Sequence, residues 1–153
     1  MSTSKPRIAI VGLGLIGGSI GLKLREADVA SAVVGHDKEP GVNNKAKKLG
    51  VVDKAEWNLI SACEDSDLII LATPVAEMEA TMEAIGQYLR PGCVVMDTGS
   101  LKTPVLAWAD ELLPEHANFV GGDPIIAATD YDKQGVEAAR ADLFRKGLFC
   151  LTP

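Results

Sequence analysis

Between an apolar run at Arg7–Val11 (RIAIV) and a helical one opening at Leu15, the chain reads GLGLIGGS, which sets Gly12, Gly14 and Gly17 in G-x-G-x-x-G spacing. Three glycines in that spacing are weak evidence alone. Their context constrains the fold: the motif leaves a strand, enters a helix, and is followed 20 residues beyond Gly17 by Asp37 at the end of a second apolar run. Gly12 lets the chain turn tightly, Gly14 removes a side chain that would block a pyrophosphate, and Gly17 lets helix and strand approach. The helix N-terminus then offers free N–H groups and the positive end of its dipole to phosphates. Gly12, Leu13, Gly14, Leu15, Ile16 and Gly17 are therefore expected to cradle a dinucleotide. Asp37 can accept both ribose hydroxyls of the adenosine and would repel a 2′-phosphate, which favours NAD over NADP. Lys38 weakens that preference, since a cation tolerates the phosphate. The plainer alternative is that the glycines only make a turn and Asp37 only caps the next helix.

Strand-like and helical runs alternate along the whole chain, the pattern of βαβ units. Strands are predicted at Arg7–Val11, Ala32–Gly35, Asp67–Ala72, Cys93–Met96, from Phe119-Val120, and at Leu148–Leu151. Helices are predicted from Leu15 to about Glu26, Gly41 to Leu49, Thr73-Pro74 to about Tyr88, Thr103-Pro104 to Leu113, and Gly135 to Arg145. The stretch around Trp57 reads as loop. The expected architecture is α/β: a Rossmann-type, doubly wound, mostly parallel sheet forming a single domain over residues 1–153. Hydrophobic residues make up 47% of the chain but aromatic ones only 5%, so the core must be built mostly from Ile, Val, Leu and Ala, the usual filling of helix-covered parallel strands.

Charge and side-chain chemistry exclude several functions. The net charge is −6, with no basic run longer than Lys47-Lys48, which argues against nucleic acid as a partner. No apolar stretch reaches 18 residues, so no membrane span is expected, and MSTSKPR lacks a signal-peptide core; the expected location is the cytoplasm. Cys63, Cys93 and Cys150 are odd in number and set in or beside apolar segments, which predicts buried free thiols. His36 and His116 are far apart and no ligand motif accompanies them, so no metal site is expected. His36 would fall near the adenosine edge or stand solvated, and His116 has no assigned role.

The segments GLGLIGGSIG, LATPV (71–75), DTGSLK (97–102), FVGGDP (119–124) and DLFRKGLFCLTP (142–153) together resemble the nicotinamide-binding domain of prephenate and arogenate dehydrogenases. These enzymes oxidise prephenate or arogenate with decarboxylation in tyrosine biosynthesis. The resemblance runs from about Arg7 to Pro153. It implies that Ala72, Thr73 and Pro74 lie along the ribose and nicotinamide, that Ser100 reaches the substrate, and that Lys102 fixes a loop or helix start. Without it, Ser100 reads as a helix N-cap. It also implies a small-molecule substrate and a helical partner domain, outside these 153 residues, that completes the pocket and makes a homodimer.

Where the family carries histidine, in a loop reading HPMAG or similar, this chain has Asp123, and about three residues are inserted before Gly135. The chemical site is where the resemblance is weakest. A carboxylate can accept a hydroxyl proton but, near its reference pKa of about 3.9, is a weaker base than histidine near about 6.5. Asp123 therefore reads three ways: a turn start before Pro124, a substituted acid/base, or a ligand contact without catalysis. The matching functional alternatives to a prephenate or arogenate dehydrogenase are a non-catalytic NAD-binding module and a dehydrogenase of a β-hydroxyacid or imino acid.

Overall fold

The structure, a computed structural model, describes residues 4–127, 130 and 132–153. Ala128, Thr129 and Tyr131, in the stretch before Gly135 where the sequence carries its insertion, lie outside the described residues. Among the described residues, seven strands form one sheet in the order β3-β2-β1-β4-β5-β6-β7. They are β1 (Arg7–Val11), β2 (Ala32–His36), β3 (Lys54–Ala55), β4 (Leu68–Leu71), β5 (Val94–Asp97), β6 (Asn118–Ile125) and β7 (Leu148–Thr152). Neighbours from β3 to β6 pair in parallel, and β7 alone runs antiparallel, against β6. The helices are α1 (Leu15–Ala27), α2 (Pro40–Lys48), α3 (Leu59–Cys63), α4 (Val75–Ile85) and α5 (Lys102–Leu112). This is the expected doubly wound α/β fold.

The two larger core clusters lie on opposite faces of the sheet, as alternation along the strands requires. Ala9, Val11, Ile69, Leu71 and Val95 pack with Met78, Met82 and Ile85 of α4. Ile8, Ile10, Ile70 and Val33 pack with Ile20 of α1 and Ala46 of α2. Because β1 and β4 are buried on both sides, they read as continuous apolar runs rather than alternating ones.

The structure departs from the sequence-based expectations in four places. The loop expected around Trp57 holds β3 and α3, the latter begun by Asn58, whose side chain accepts from the Ser61 N–H at 3.0 Å. The helix expected over Gly135–Arg145 is only a 3₁₀ turn at Val136–Ala138, after which Ala139 is extended. Tertiary contacts override its helical spacing: Val136 enters one core cluster, Leu143 joins Leu15 and Ile126 in another, and the Arg140 N–H donates to the buried Ser19 hydroxyl at 3.0 Å. Cys150, expected buried, is exposed on β7, whereas Cys63 and Cys93 are buried.

The fourth departure concerns FVGGDP. Instead of a turn before Pro124, β6 continues through Ile125, and Asp123 sits inside a strand opposite Cys150. Asp123 is thus no turn start. Asn118–Val120 pair with β5 on one edge, and from Gly121 onward the opposite edge pairs with β7. β6 therefore projects past the carboxyl end of β5 and carries Asp123 with it.

Candidate functional site

Strand order reverses between β1 and β4, since the chain proceeds from β1 outward to β2 and β3 and then returns to β4 on the other side. Loops leaving the carboxyl ends of two such strands diverge and leave a crevice. Here Gly12–Gly14 leave β1 and Ala72–Pro74 leave β4. Two cavities open at this point, of about 350 Å³ and 420 Å³, and both are lined by Gly14, Ala72, Thr73 and Pro74. The outer one extends over the end of β2 to His36, Asp37 and Lys38. The inner one extends over β5 and β6 to Thr98, Ser100 and Asp123, and also meets Leu15 and Ile16.

The glycine loop is built for close approach. Gly12 has φ +91°, and a Cβ there would lie 2.6 Å from the Ala72 carbonyl oxygen; its N–H donates to the His36 carbonyl at 2.8 Å. A Cβ on Gly17 would lie 1.9 Å from the Gly12 oxygen, so α1 can begin under the loop only with glycine there. Gly14 differs: a Cβ there meets no protein atom within 4 Å. What a side chain at Gly14 would obstruct is the crevice itself. The Thr73 hydroxyl, buried at the same place, finds no hydrogen-bond partner among the described residues. Leaving such a group unsatisfied costs about 1–3 kcal/mol, which a polar ligand in the crevice would offset. Open space over Gly14 and an orphaned hydroxyl beside it fit a dinucleotide.

Asp37 does more than face the outer cavity. One carboxylate oxygen accepts from the Leu13 N–H at 2.9 Å and the other from the Glu39 N–H at 2.9 Å. It ties the glycine loop to the end of β2 and keeps free lone pairs toward the cavity. It does not cap α2, whose N-cap is Glu39. Asn43 holds it from behind, accepting from the Asp37 N–H at 3.0 Å and donating to its carbonyl at 2.6 Å. Leu13 and Gly17 line neither cavity; the Leu13 side chain is fully buried beneath the loop. His36 stands at the outer cavity with its ring Nδ1 2.9 Å from the Glu56 carbonyl oxygen, and His116 lies elsewhere, against the Leu89 carbonyl.

At the inner end, Ser100 does not cap α5, whose N-cap is Leu101, and its exposed side chain borders the cavity. The residue the sequence did not single out is Asp97. Fully buried, it accepts from Gly99 N–H at 2.8 Å and Gly122 N–H at 3.0 Å, and pairs with the Lys102 ammonium, which also donates to the Gly122 carbonyl at 2.6 Å. Lys102 is thus the loop-fixing residue expected of it. This pair pins β6 to the end of β5 one residue before Asp123. Its only sequence signal was an aspartate directly after an apolar strand.

The stretch before Gly135 supplies another unforeseen group. Lys133 lines the inner cavity, the sole cation among the described residues that do, and its ammonium lies 3.0 Å from Asp130. Asp130, almost buried, also takes Arg140 at 2.6 Å; Lys133 first, then the Arg140 charge, hold its carboxyl below the usual range. No histidine lines the inner cavity among the described residues. Groups of three or more His, Cys, Asp or Glu able to hold a metal are absent among them too.

The family described as prephenate dehydrogenase, nucleotide-binding domain, matches residues 20–153. The prephenate dehydrogenase of Bacillus subtilis (strain 168) is 34% identical over 154 residues, an alignment that takes in 100% of this chain and 41% of the relative. A solved structure of prephenate dehydrogenase from A. aeolicus, in complex with hydroxyphenyl propionate and NAD+, superposes with a TM-score of 0.88 at 30% identity, covering 100% of this chain and 52% of that one. Synechocystis arogenate dehydrogenase gives 0.85 at 31% identity, covering 96% and 50%. The chain spans about half the length of these proteins or less.

Proposed function

The chain belongs to the prephenate dehydrogenase nucleotide-binding family, and from that premise we propose that it is the NAD-binding half of an enzyme oxidising prephenate or arogenate with decarboxylation, a step of tyrosine biosynthesis carried out in the cytoplasm. The observation that carries this reading is the crevice over Gly14. Two cavities meet there over Gly14, Ala72, Thr73 and Pro74, one reaching the Asp37 carboxylate and the other reaching Ser100 and Asp123, which supports a dinucleotide lying across them. Asp37 takes the adenosine ribose hydroxyls, the N–H groups at the start of α1 and the loop from Gly12 to Gly17 take the pyrophosphate, and Ala72, Thr73 and Pro74 flank the nicotinamide ribose. Leu15 and Ile16 give that end an apolar wall. Bound NAD supplies the hydride acceptor. This chain's own groups orient the substrate: Ser100 by hydrogen bonding, and Asp123 by accepting from its hydroxyl as that group loses its proton.

A helical partner domain or chain closes the inner cavity, which is otherwise open to water, and provides the surface for a homodimer. Hydride transfer gains from such closure. The absence of histidine from the described lining of the inner cavity favours one second reading, a nucleotide-binding module without catalysis. Calorimetric titration of the 153-residue chain with NAD and NADP, then with prephenate or arogenate added to the NAD complex, tests both. NAD binding is the expected result in either case. Ternary binding in the presence of a helical domain from a relative supports the catalytic reading, and its absence there supports the second. A chain that binds no dinucleotide refutes both.

A further inference from the structure

The outer cavity is crossed by an ion pair that the binding motif does not include. Lys38 follows β2, Glu77 lies in the first turn of α4 after β4, and β1 with its glycine loop lies between. The Lys38 ammonium donates to Glu77 Oε1 at 2.6 Å, so the pair spans the mouth of the cavity that both residues line together with Asp37. Glu77 lies in the first turn of α4, at the positive end of that helix's dipole. Its hydrogen bond and its charge in turn raise the Lys38 pKa.

We infer that Glu77 determines the choice between the two dinucleotides by engaging Lys38. This rests on the dinucleotide reading given above. A 2′-phosphate on the adenosine ribose carries up to two negative charges and needs a free cation; Lys38 is the cation in place, and Glu77 holds it. Asp37 alone does not settle the matter, because both its oxygens already serve backbone N–H groups and Lys38 adjoins it. With Glu77 present, the ammonium at the cavity rim is engaged, which suits a free 2′-hydroxyl. With Glu77 neutral, the ammonium is released at the point where the extra phosphate would stand.

The test is a cycle of binding measurements on the whole chain: unaltered, Glu77→Gln, Lys38→Ala and the double variant, each titrated calorimetrically with NAD and with NADP. Glu77 is at the surface of a helix start, and Gln keeps its shape, so the fold is retained; far-UV circular dichroism verifies this. Glu77→Gln is expected to shift the Kd ratio toward NADP by about fivefold to tenfold, the effect of one screened charge at such a distance. Adding Lys38→Ala removes that shift. An unchanged ratio in Glu77→Gln, or a shift that survives Lys38→Ala, overturns the inference while leaving NAD binding intact. Failure of the unaltered chain to bind NAD is the separate result that removes the dinucleotide reading and the inference with it.

Discussion

Replacing Lys102 by methionine isolates what holds β6 in place. The methylene stem packs beside Gly121, where a Cβ would lie 3.0 Å from Lys102 Cδ, and methionine keeps much of that stem while deleting the ammonium. Asp97 then keeps two N–H donors but loses its counter-charge, and the Gly122 carbonyl loses its 2.6 Å donor. Removing one partner of a fully buried pair costs about 3–5 kcal/mol. The cost here is lower, about 2–3 kcal/mol, because two backbone donors remain on Asp97 and the Lys102 side chain is 19% exposed, which admits water. For a domain of this size that corresponds to a fall in Tm of about 4–12 °C. Urea unfolding followed by Trp57 and Trp108 fluorescence measures the loss, and calorimetry measures Tm. The same variant in an Asp97→Asn background should cost less than the sum of the two single changes, with coupling of about 0.5–3 kcal/mol. A loss below about 0.5 kcal/mol, the level of an ordinary surface change, would refute the claim that this pair clamps β6 to β5.

Further outcomes follow from the glycine loop and from the thiols. Gly14→Ala should change stability by no more than about 1 kcal/mol, since no protein atom is near the added carbon, yet weaken NAD binding by about tenfold or more. Gly17→Ala should instead destabilise by about 3 kcal/mol, because its Cβ meets the Gly12 oxygen; equal stability of the two variants in urea would contradict the packing. Toward Ellman's reagent, Cys150 should react in the native chain, and Cys63 and Cys93 only after unfolding. Burial pushes the latter two up to about 12 and about 11 from an ordinary 9.0. The folded state therefore holds protons that the unfolded state releases above pH 9, and stability present below pH 9 should fall as pH rises toward 11, by up to about 1.4 kcal/mol per pH unit for each thiol. Stability that rises with pH between 9 and 11 would contradict this burial.

Much of the site was legible before any coordinates because its rules are local. A tight turn, a close helix start and a backbone approach to phosphate each demand glycine at a set spacing, and the apolar runs on either side announce which elements the turn joins. The residues that escaped notice act across long separations. Asp97 and Gly122 are 25 positions apart, Lys38 and Glu77 39, and Arg140 and Ser19 121, and nothing in the local spelling of any of them points to its partner. The helix expected at Gly135–Arg145 failed for the same reason. Its periodicity was real, but Val136 and Leu143 satisfied it against two different clusters instead of one face.

By itself, the sequence determined the α/β class, the crossover at which β1 hands the chain to α1, and the glycines and acid that suit a dinucleotide, since each follows from steric or hydrogen-bonding needs of a few consecutive residues. Only the tertiary structure decided that Asp123 is a strand residue facing the inner cavity rather than a turn. That depends on β7 returning antiparallel along the far edge of β6, and on the buried Asp97–Lys102 pair taking the Gly122 hydrogen bonds on the edge where β5 has ended. Those are contacts between segments whose distance along the chain gives no hint of their distance in space.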